Sequence, residues 1–309
     1  MTVDRRWILA AVLTLIGVPG VVALIGAVSF QAANRSNRTM VVAGQEREYL
    51  LYVPASLDRT RPAPLVISLH GAGLWGAAQR EISQWNRVAD RERFLVVYPS
   101  GAPGAGPRVW HLEANDSLPQ DVRFIAALID TLAAQFDIDR TRIYADGLSN
   151  GGGMAFALSC TLSDRIAAVG LVGPALTLPW RWCTDRHPIP AIWFHGTADR
   201  AAPYHGGTSL VAPTEPFPSI PAFVAKWAQR NRCGATPQDS SIAADITRSV
   251  YTQCADDATV VLYTIRGGGH TWPGGGPLPD AWVGPTNREI DATSLIWAFF
   301  CEHPLGAGR

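Results

Sequence analysis

The stretch Asp146-Gly147-Leu148-Ser149-Asn150-Gly151-Gly152-Gly153 constrains the chain most. Its Gly-x-Ser-x-Gly core fits a turn in which a strand ends abruptly and enters a helix. Ser149 sits at the apex with strained backbone angles. Residues two before and two after it must be small, because strand and helix pack too closely there for side chains. The flanks fit this reading. Arg142-Ile143-Tyr144-Ala145 is expected to be a short buried strand, and Met154-Ala155-Phe156-Ala157-Leu158 the helix that leaves the turn. Five residues alone are also compatible with an ordinary glycine-rich turn. The rest of the chain decides between the two.

Apolar runs of strand length recur on both sides of Ser149. Tyr49–Val53 is expected to form an edge hairpin with Met40–Val42. Leu65–Leu69, Phe94–Tyr98, Ala167–Val172 and Ile189–Phe194 are continuous apolar runs, as strands buried on both faces require. Thr259–Ile265 is a β-branched run and is expected to be the last strand. Helical segments alternate with these. One lies around Gln79–Arg91, and another over Val122–Phe136 with apolar residues at helical spacing. A third carries Phe223, Val224 and Trp227 behind a Ser219 cap and Pro221, and a fourth runs through Ile290, Ile296, Trp297 and Phe300. Alternation of this kind predicts an α/β fold with a mostly parallel, doubly wound sheet covered on both faces. Residues 39–309 read as one domain.

A serine hydroxyl is a weak nucleophile until a base removes its proton, and the base needs an orienting carboxylate. Asp199 follows the strand ending at Phe194, and His270 follows the strand ending at Ile265. Loops leaving the carboxyl ends of parallel strands converge on one edge of the sheet. Ser149, Asp199 and His270 are therefore the candidate nucleophile, acid and base, in the chain order found in alpha/beta-hydrolases. The backbone N–H of Asn150 is expected to be one oxyanion donor. The other is expected from the His70-Gly71-Ala72-Gly73 turn, at Ala72 with Gly71 as the alternative. His70 and His195 each precede a glycine at a strand end and are expected to order loops through backbone hydrogen bonds. His111, His187, His205 and His303 lack strand-end placement. Asp146 is expected to make a structural hydrogen bond at the end of a buried strand.

Lys+Arg and Asp+Glu are both 26, so the formal charge is zero and no basic field exists to hold nucleic acid. The five cysteines show no metal-ligand spacing, and neither metal nor cofactor is expected. Sequential pairing, Cys160 with Cys183 and Cys233 with Cys254, is expected in an oxidising compartment, with buried free thiols as the alternative. Cys301 is the odd one. Export is also expected from the N-terminus, where Arg5-Arg6 precedes an apolar run from Trp7 to Phe30. As a helix that run would span about 36 Å, enough to cross a bilayer core of roughly 30 Å. Residues 1–38 are read as a hydrophobic signal-anchor helix with a polar connector, or as a cleaved signal peptide. Residues 7–30 would then tether the protein to the membrane.

Four segments occur together: Leu69-His70-Gly71-Ala72-Gly73, Gly147–Gly152, His195-Gly196-Thr197-Ala198-Asp199, and Gly268-Gly269-His270-Thr271-Trp272-Pro273-Gly274-Gly275. Together they resemble the polyhydroxybutyrate depolymerase/feruloyl esterase family of exported alpha/beta-hydrolases, over nearly the whole chain after Val41. The resemblance implies Ser149 as nucleophile, Asp199 as acid, His270 as base, and Ala72 and Asn150 as oxyanion donors. It also implies Trp110 and Trp272 as aromatic residues that lean on the substrate, or that brace the catalytic loops. Two positions depart from the family pattern. Gln120-Asp121 stands where relatives commonly carry Asp-Asp, and Asp146 stands where they carry a smaller residue. The sequence shows no linker or separate polymer-binding domain, so soluble feruloyl or acetyl esters, or short 3-hydroxybutyrate oligomers, are the expected substrates. A serine peptidase on the same fold and a non-catalytic envelope binding protein are the rival readings.

Overall fold

The computed structural model describes residues 36–309 apart from 103–107, 113–119, 177, 179, 181–182, 184–186, 210–211, 215, 279 and 307–309. The apolar run at residues 7–30, with its expected membrane tether or signal, lies outside the described residues. Among the described residues, no helix is long and apolar enough to cross a membrane.

Among the described residues ten strands form one sheet: β1 (Arg38–Val42), β2 (Gln45–Tyr52), β3 (Ala63–Leu69), β4 (Leu95–Pro99), β5 (Ile138–Leu148), β6 (Ala168–Val172), β7 (Ala191–Gly196), β8 (Gln238–Ala243), β9 (Ile246–Tyr251) and β10 (Val260–Ile265). Their order is β1-β2-β4-β3-β5-β6-β7-β10-β9-β8. The six central strands, from β4 to β10, are parallel. Antiparallel pairs close both edges. β3, β4, β6 and β7 are buried throughout, as their unbroken apolar runs require.

The helices are α1 (Gly76–Ser83), α2 (Trp85–Glu92), α3 (Gln120–Gln135), α4 (Asn150–Thr161), α5 (Ile220–Arg230), α6 (Asp280–Val283) and α7 (Ala292–Glu302). Strand alternation sends side chains to two cores. Leu65, Ile67 and Ile143 face one core with α3, α4 and α5, while Val66 and Tyr144 face the other with α2 and α7. The second core is aromatic: Phe94 stacks on Trp297 at 3.9 Å between ring centroids, and Tyr144 on Phe300 at 4.5 Å.

Two local expectations change, and one hairpin carries no clear sequence signal. The helix read over Gln79–Arg91 is two helices, because Gln84 takes a left-handed conformation at φ 55°. The break turns Trp85 fully inward, against Phe94 and Phe300. Ser219 does occupy the N-cap of α5, but its side chain makes no capping bond. The hairpin β8–β9 carries no apolar signal in its first strand, Gln-Asp-Ser-Ser-Ile-Ala, which is an exposed sheet edge.

The expected disulfides, Cys160–Cys183 and Cys233–Cys254, are both present. Cys301 is free and exposed.

Asp121, of the Gln120-Asp121 departure, opens α3 and is buried in an ion pair. Arg47 Nη2 lies 2.6 Å from its Oδ1, both side chains being 1% exposed. The His111 N–H donates to Oδ2 at 2.7 Å, and the Arg47 guanidinium lies 4.0 Å from the Phe124 ring centroid. Burial lowers the Arg47 pKa, and Asp121 counters that effect. Asp121→Ala would leave Arg47 buried and uncompensated. The expected cost is about 3–5 kcal/mol in urea unfolding. A loss below about 1 kcal/mol would show that Arg47 finds water or another partner.

Candidate active site

The carboxyl ends of β3, β5, β6, β7 and β10 share one edge of the sheet, and the candidate residues sit on the loops that leave them. Ser149 lies between β5 and α4 at φ 56°, ψ −120°, a conformation costly for any residue with a Cβ. The expected strain at the turn apex is therefore present. The spacing of small residues has its physical reason here. A Cβ on Gly147 would lie 2.3 Å from the Gly151 carbonyl carbon, and one on Gly151 would lie 2.2 Å from the Leu69 carbonyl oxygen. Backbone bonds hold the apex: Ser149 N–H donates to Val172 O, and Ala175 N–H donates to Ser149 O, each at 2.9 Å.

His270 and Asp199 meet beside the same backbone. His270 Nδ1 is 2.7 Å from Asp199 Oδ2. Gly173, next to the Val172 that receives the Ser149 N–H, packs against both: a Cβ there would lie 3.1 Å from His270 Nδ1 and 3.3 Å from Asp199 Oδ2. The Asp199 side chain is fully buried, whereas that of His270 is 9% exposed. Asp199 Oδ1 accepts the Ala201 and Ala202 N–H groups at 2.9 and 2.8 Å. Burial opposes ionisation of Asp199, but donation from His195 and His270 outweighs it and holds the carboxyl well below its usual range. The two loops are also joined directly. Ala198 N–H donates to Gly268 O, and Gly267 N–H donates to Thr197 Oγ1, both at 2.9 Å. Short α6 supports the histidine from behind, where His270 N–H donates to Val283 O at 2.6 Å.

The His70–Gly73 turn lies against Ser149, since a Cβ on Gly71 would be 3.4 Å from Ser149 Cβ. Asn150 is the first residue of α4, so its N–H belongs to the helix-terminal donors that have no intrahelical acceptor. Its side chain also has a use that sequence reasoning missed. Asn150 Oδ1 accepts the Trp110 N–H at 2.6 Å, and Nδ2 donates to Trp110 O at 3.2 Å.

Trp110 and Trp272, expected to lean on the substrate or to brace the catalytic loops, are both buried. Trp110 is 2% exposed and Trp272 is 0% exposed. The Trp110 indole donates to His70 O at 2.9 Å and its ring lies 5.0 Å from the His70 ring. The Trp272 indole donates to Thr293 Oγ1 at 2.9 Å, and that hydroxyl donates to Ser83 O at 2.5 Å. Both rings sit between loops that carry candidate residues and the core, which fits the bracing alternative. An indole carries a large apolar face with one donor, which suits it to a wedge between loop and core.

His70 orders its loop through the backbone, as expected. Nε2 accepts the Gly101 N–H at 2.9 Å, so Nδ1 is the nitrogen that donates to Gly71 O at 2.8 Å. Burial pushes its pKa down to about 4 despite that bond. His195 contacts backbone too, but it also reaches Asp199, at 3.3 Å from Nε2 to Oδ2. The i,i+4 spacing of His195 and Asp199 was the available sequence signal.

Asp146 lies in the second core, fully buried under the turn. Ser68 Oγ donates to its Oδ1 at 2.6 Å, and Gln79 Nε2 donates to Ser68 Oγ at 3.0 Å. Oδ2 has no partner at hydrogen-bond distance among the described residues, although the Trp85 N–H acts on the carboxyl from further off. Burial pushes the Asp146 pKa up to about 8, against the help of Ser68 and Trp85. Among the described residues, no group of three or more His, Cys, Asp or Glu is arranged to hold a metal.

The family model described as Esterase PHB depolymerase matches residues 47–212. The protein NocK of Nocardia uniformis subsp. tsuyamanensis, named as an esterase, is 30% identical over 286 residues, covering 86% of this chain and 83% of its own. Feruloyl esterase B of Piromyces equi is 30% identical over 72% of this chain, and poly(3-hydroxyalkanoate) depolymerase C of Paucimonas lemoignei is 25% identical over 72%. This chain spans only 42% and 58% of the lengths of those two proteins. Among solved structures, an acetyl xylan esterase from Aspergillus awamori superimposes with TM-score 0.56 at 14% identity, over 73% of this chain and 89% of its own. A thermostable esterase does so with TM-score 0.56 at 18% identity, over 86% and 62%. These likenesses establish the alpha/beta-hydrolase fold. On the family match and the relatives together, the chain belongs to the Esterase PHB depolymerase family and is a carboxylic-ester hydrolase.

Proposed function

We propose that the protein is an exported serine esterase working through an acyl-enzyme, with Ser149 as nucleophile, His270 as base and Asp199 as acid. The observation that carries this reading is the buried 2.7 Å contact between His270 Nδ1 and Asp199 Oδ2, beside the backbone that anchors the strained Ser149. His270 Nε2 takes the Ser149 proton as Oγ attacks the ester carbonyl. The Ala72 and Asn150 N–H groups receive the developing oxyanion. The alkoxide leaves with the proton from His270. Water then attacks the acyl group, giving its proton to His270, and Ser149 departs with that proton. Asp199 orients the imidazole and stabilises its cation throughout. The chemistry requires no metal or cofactor.

The substrates proposed are feruloyl- or acetyl-type esters, or short 3-hydroxybutyrate oligoesters. The names of the relatives support this range. Two disulfides support an extracytoplasmic location. Residues 1–38 would supply the export segment or membrane tether, and 39–309 the catalytic domain.

Labelling with a fluorophosphonate tests the nucleophile. Wild type is expected to label and Ser149→Ala to remain unlabelled, with kcat lowered by about 10⁴- to 10⁶-fold. Equal labelling of the two proteins would remove Ser149 from the assignment. Substrate class is read from rates on p-nitrophenyl acetate, methyl ferulate, 3-hydroxybutyrate oligomers and a peptide anilide. At least one ester is expected to turn over and the anilide to stay intact.

A further inference from the structure

Asp199 Oδ2 faces two imidazoles, and only one belongs to the proposed triad. His195, the fifth residue of β7, is four residues before Asp199, and both side chains are 0% exposed. Its Nε2 lies 2.8 Å from Ala202 O and 3.3 Å from Asp199 Oδ2. A carbonyl oxygen only accepts, so the His195 proton is on Nε2. That one N–H bonds the Ala202 carbonyl, and the carboxylate oxygen lies beside it, 3.3 Å from the same nitrogen. Nδ1 is buried and has no partner among the described residues, so the ring's polar contacts are all directed at the acid and its turn. Ala202 closes the arrangement, because its own N–H donates to Asp199 Oδ1 at 2.8 Å. Tyr204 packs edge-on to the His195 ring at 5.8 Å and is tied to β10 by a 2.8 Å bond between its hydroxyl and Thr264 Oγ1.

We propose that His195 is a positioning residue for ester hydrolysis, fixing the Asp199 carboxylate by direct donation to Oδ2 and by holding the Ala202 carbonyl of the turn that grips Oδ1. The physical reason is geometric. The Ala201 and Ala202 amides fix Oδ1, but a carboxylate pinned at one oxygen still tilts about that anchor. A second donor on Oδ2 stops the tilt and keeps the oxygen in line with His270 Nδ1. It also shares the negative charge that would otherwise act on His270 alone. This inference rests on the reading of Asp199 and His270 as acid and base.

Two variants separate donation from packing. His195→Phe keeps the ring volume and removes the donor. His195→Gln places an amide N–H close to the position of Nε2. With p-nitrophenyl acetate, His195→Phe is expected to lower kcat by about 10- to 100-fold with KM within about twofold of wild type. The acid limb of its kcat/KM profile is expected to move to higher pH, because Oδ2 then acts on His270 undivided. His195→Gln is expected to recover kcat to within about threefold of wild type. Wild-type kcat and acid limb in a folded His195→Phe protein would overturn the proposal, as would equal impairment of both variants. Nitrogen-15 NMR of histidine side chains tests the identity of the donor nitrogen even where His195→Phe does not fold. The wild-type ring is expected as the Nε2–H form, and an Nδ1–H form would overturn the proposal. If Asp199→Asn and His270→Ala kept wild-type activity, the triad reading would fail instead, while the NMR result would still report which His195 nitrogen carries the proton.

Discussion

Asp199→Asn is expected to lower kcat on soluble esters by about 10⁴-fold with little change in KM. The argument starts from the donors around the carboxylate. Oδ1 accepts two backbone N–H groups, so the amide oxygen of asparagine would take that place. The NH₂ would then stand where Oδ2 stood, 2.7 Å from His270 Nδ1 and 3.3 Å from His195 Nε2 in the parent protein. Two donors cannot share that contact. His270 must move its proton to Nε2, the nitrogen that in the proposed mechanism receives the proton of Ser149, and the proposed base is lost. The protein still folds, because the substitution removes a buried charge while preserving shape. Steady-state kinetics with p-nitrophenyl acetate measures the effect, and a kcat within about tenfold of wild type would mean that another group orients the base.

Asp146→Asn has the largest expected effect on stability, and its sign is unusual for a buried acid. A carboxylate paired with cations stabilises the fold as pH rises. Asp146 does the opposite, because burial raises its folded-state pKa to about 8. In the unfolded chain it ionises near an ordinary carboxyl value of about 4. Below that value both states hold the proton and the Asp146 contribution is fully present. Between about pH 4 and pH 8 only the unfolded chain releases it, so stability falls steadily through that window. The total is on the order of 5 kcal/mol. Asparagine is neutral at every pH and can still accept from Ser68. The variant is therefore expected to match wild type near pH 4 and to exceed it by several kcal/mol at pH 8. Urea unfolding of both proteins across that range tests this, because other ionisations affect both alike and cancel in the difference. Parallel curves would show that Asp146 is already charged in the folded state.

Much of the candidate site is legible without coordinates because its parts are local. Gly147-x-Ser149-x-Gly151 specifies a turn through the space that two glycines must vacate. Apolar runs ending at Phe194 and Ile265 place Asp199 and His270 at strand ends, and parallel strands bring such ends to one edge. The same logic gave the mostly parallel sheet and the hairpin at its first edge. It failed for β8, whose polar residues carry no period, and at Gln84, where nothing in the helical pattern announces a left-handed residue.

What the sequence by itself determined is the kind of chain: its α/β pattern, the family it resembles and the residue types available for chemistry. Only the tertiary structure decided what each of those residues touches. It buried Trp110 and Trp272, paired Asp121 with Arg47, set the Asn150 amide against the Trp110 backbone and brought His195 onto Asp199. The reason is physical. Periodicity and turn chemistry act over a few residues and leave their mark in the order of the letters. Burial and hydrogen bonding between groups tens of residues apart depend on strand register and distances of a few tenths of an ångström, and those exist only once the chain has packed.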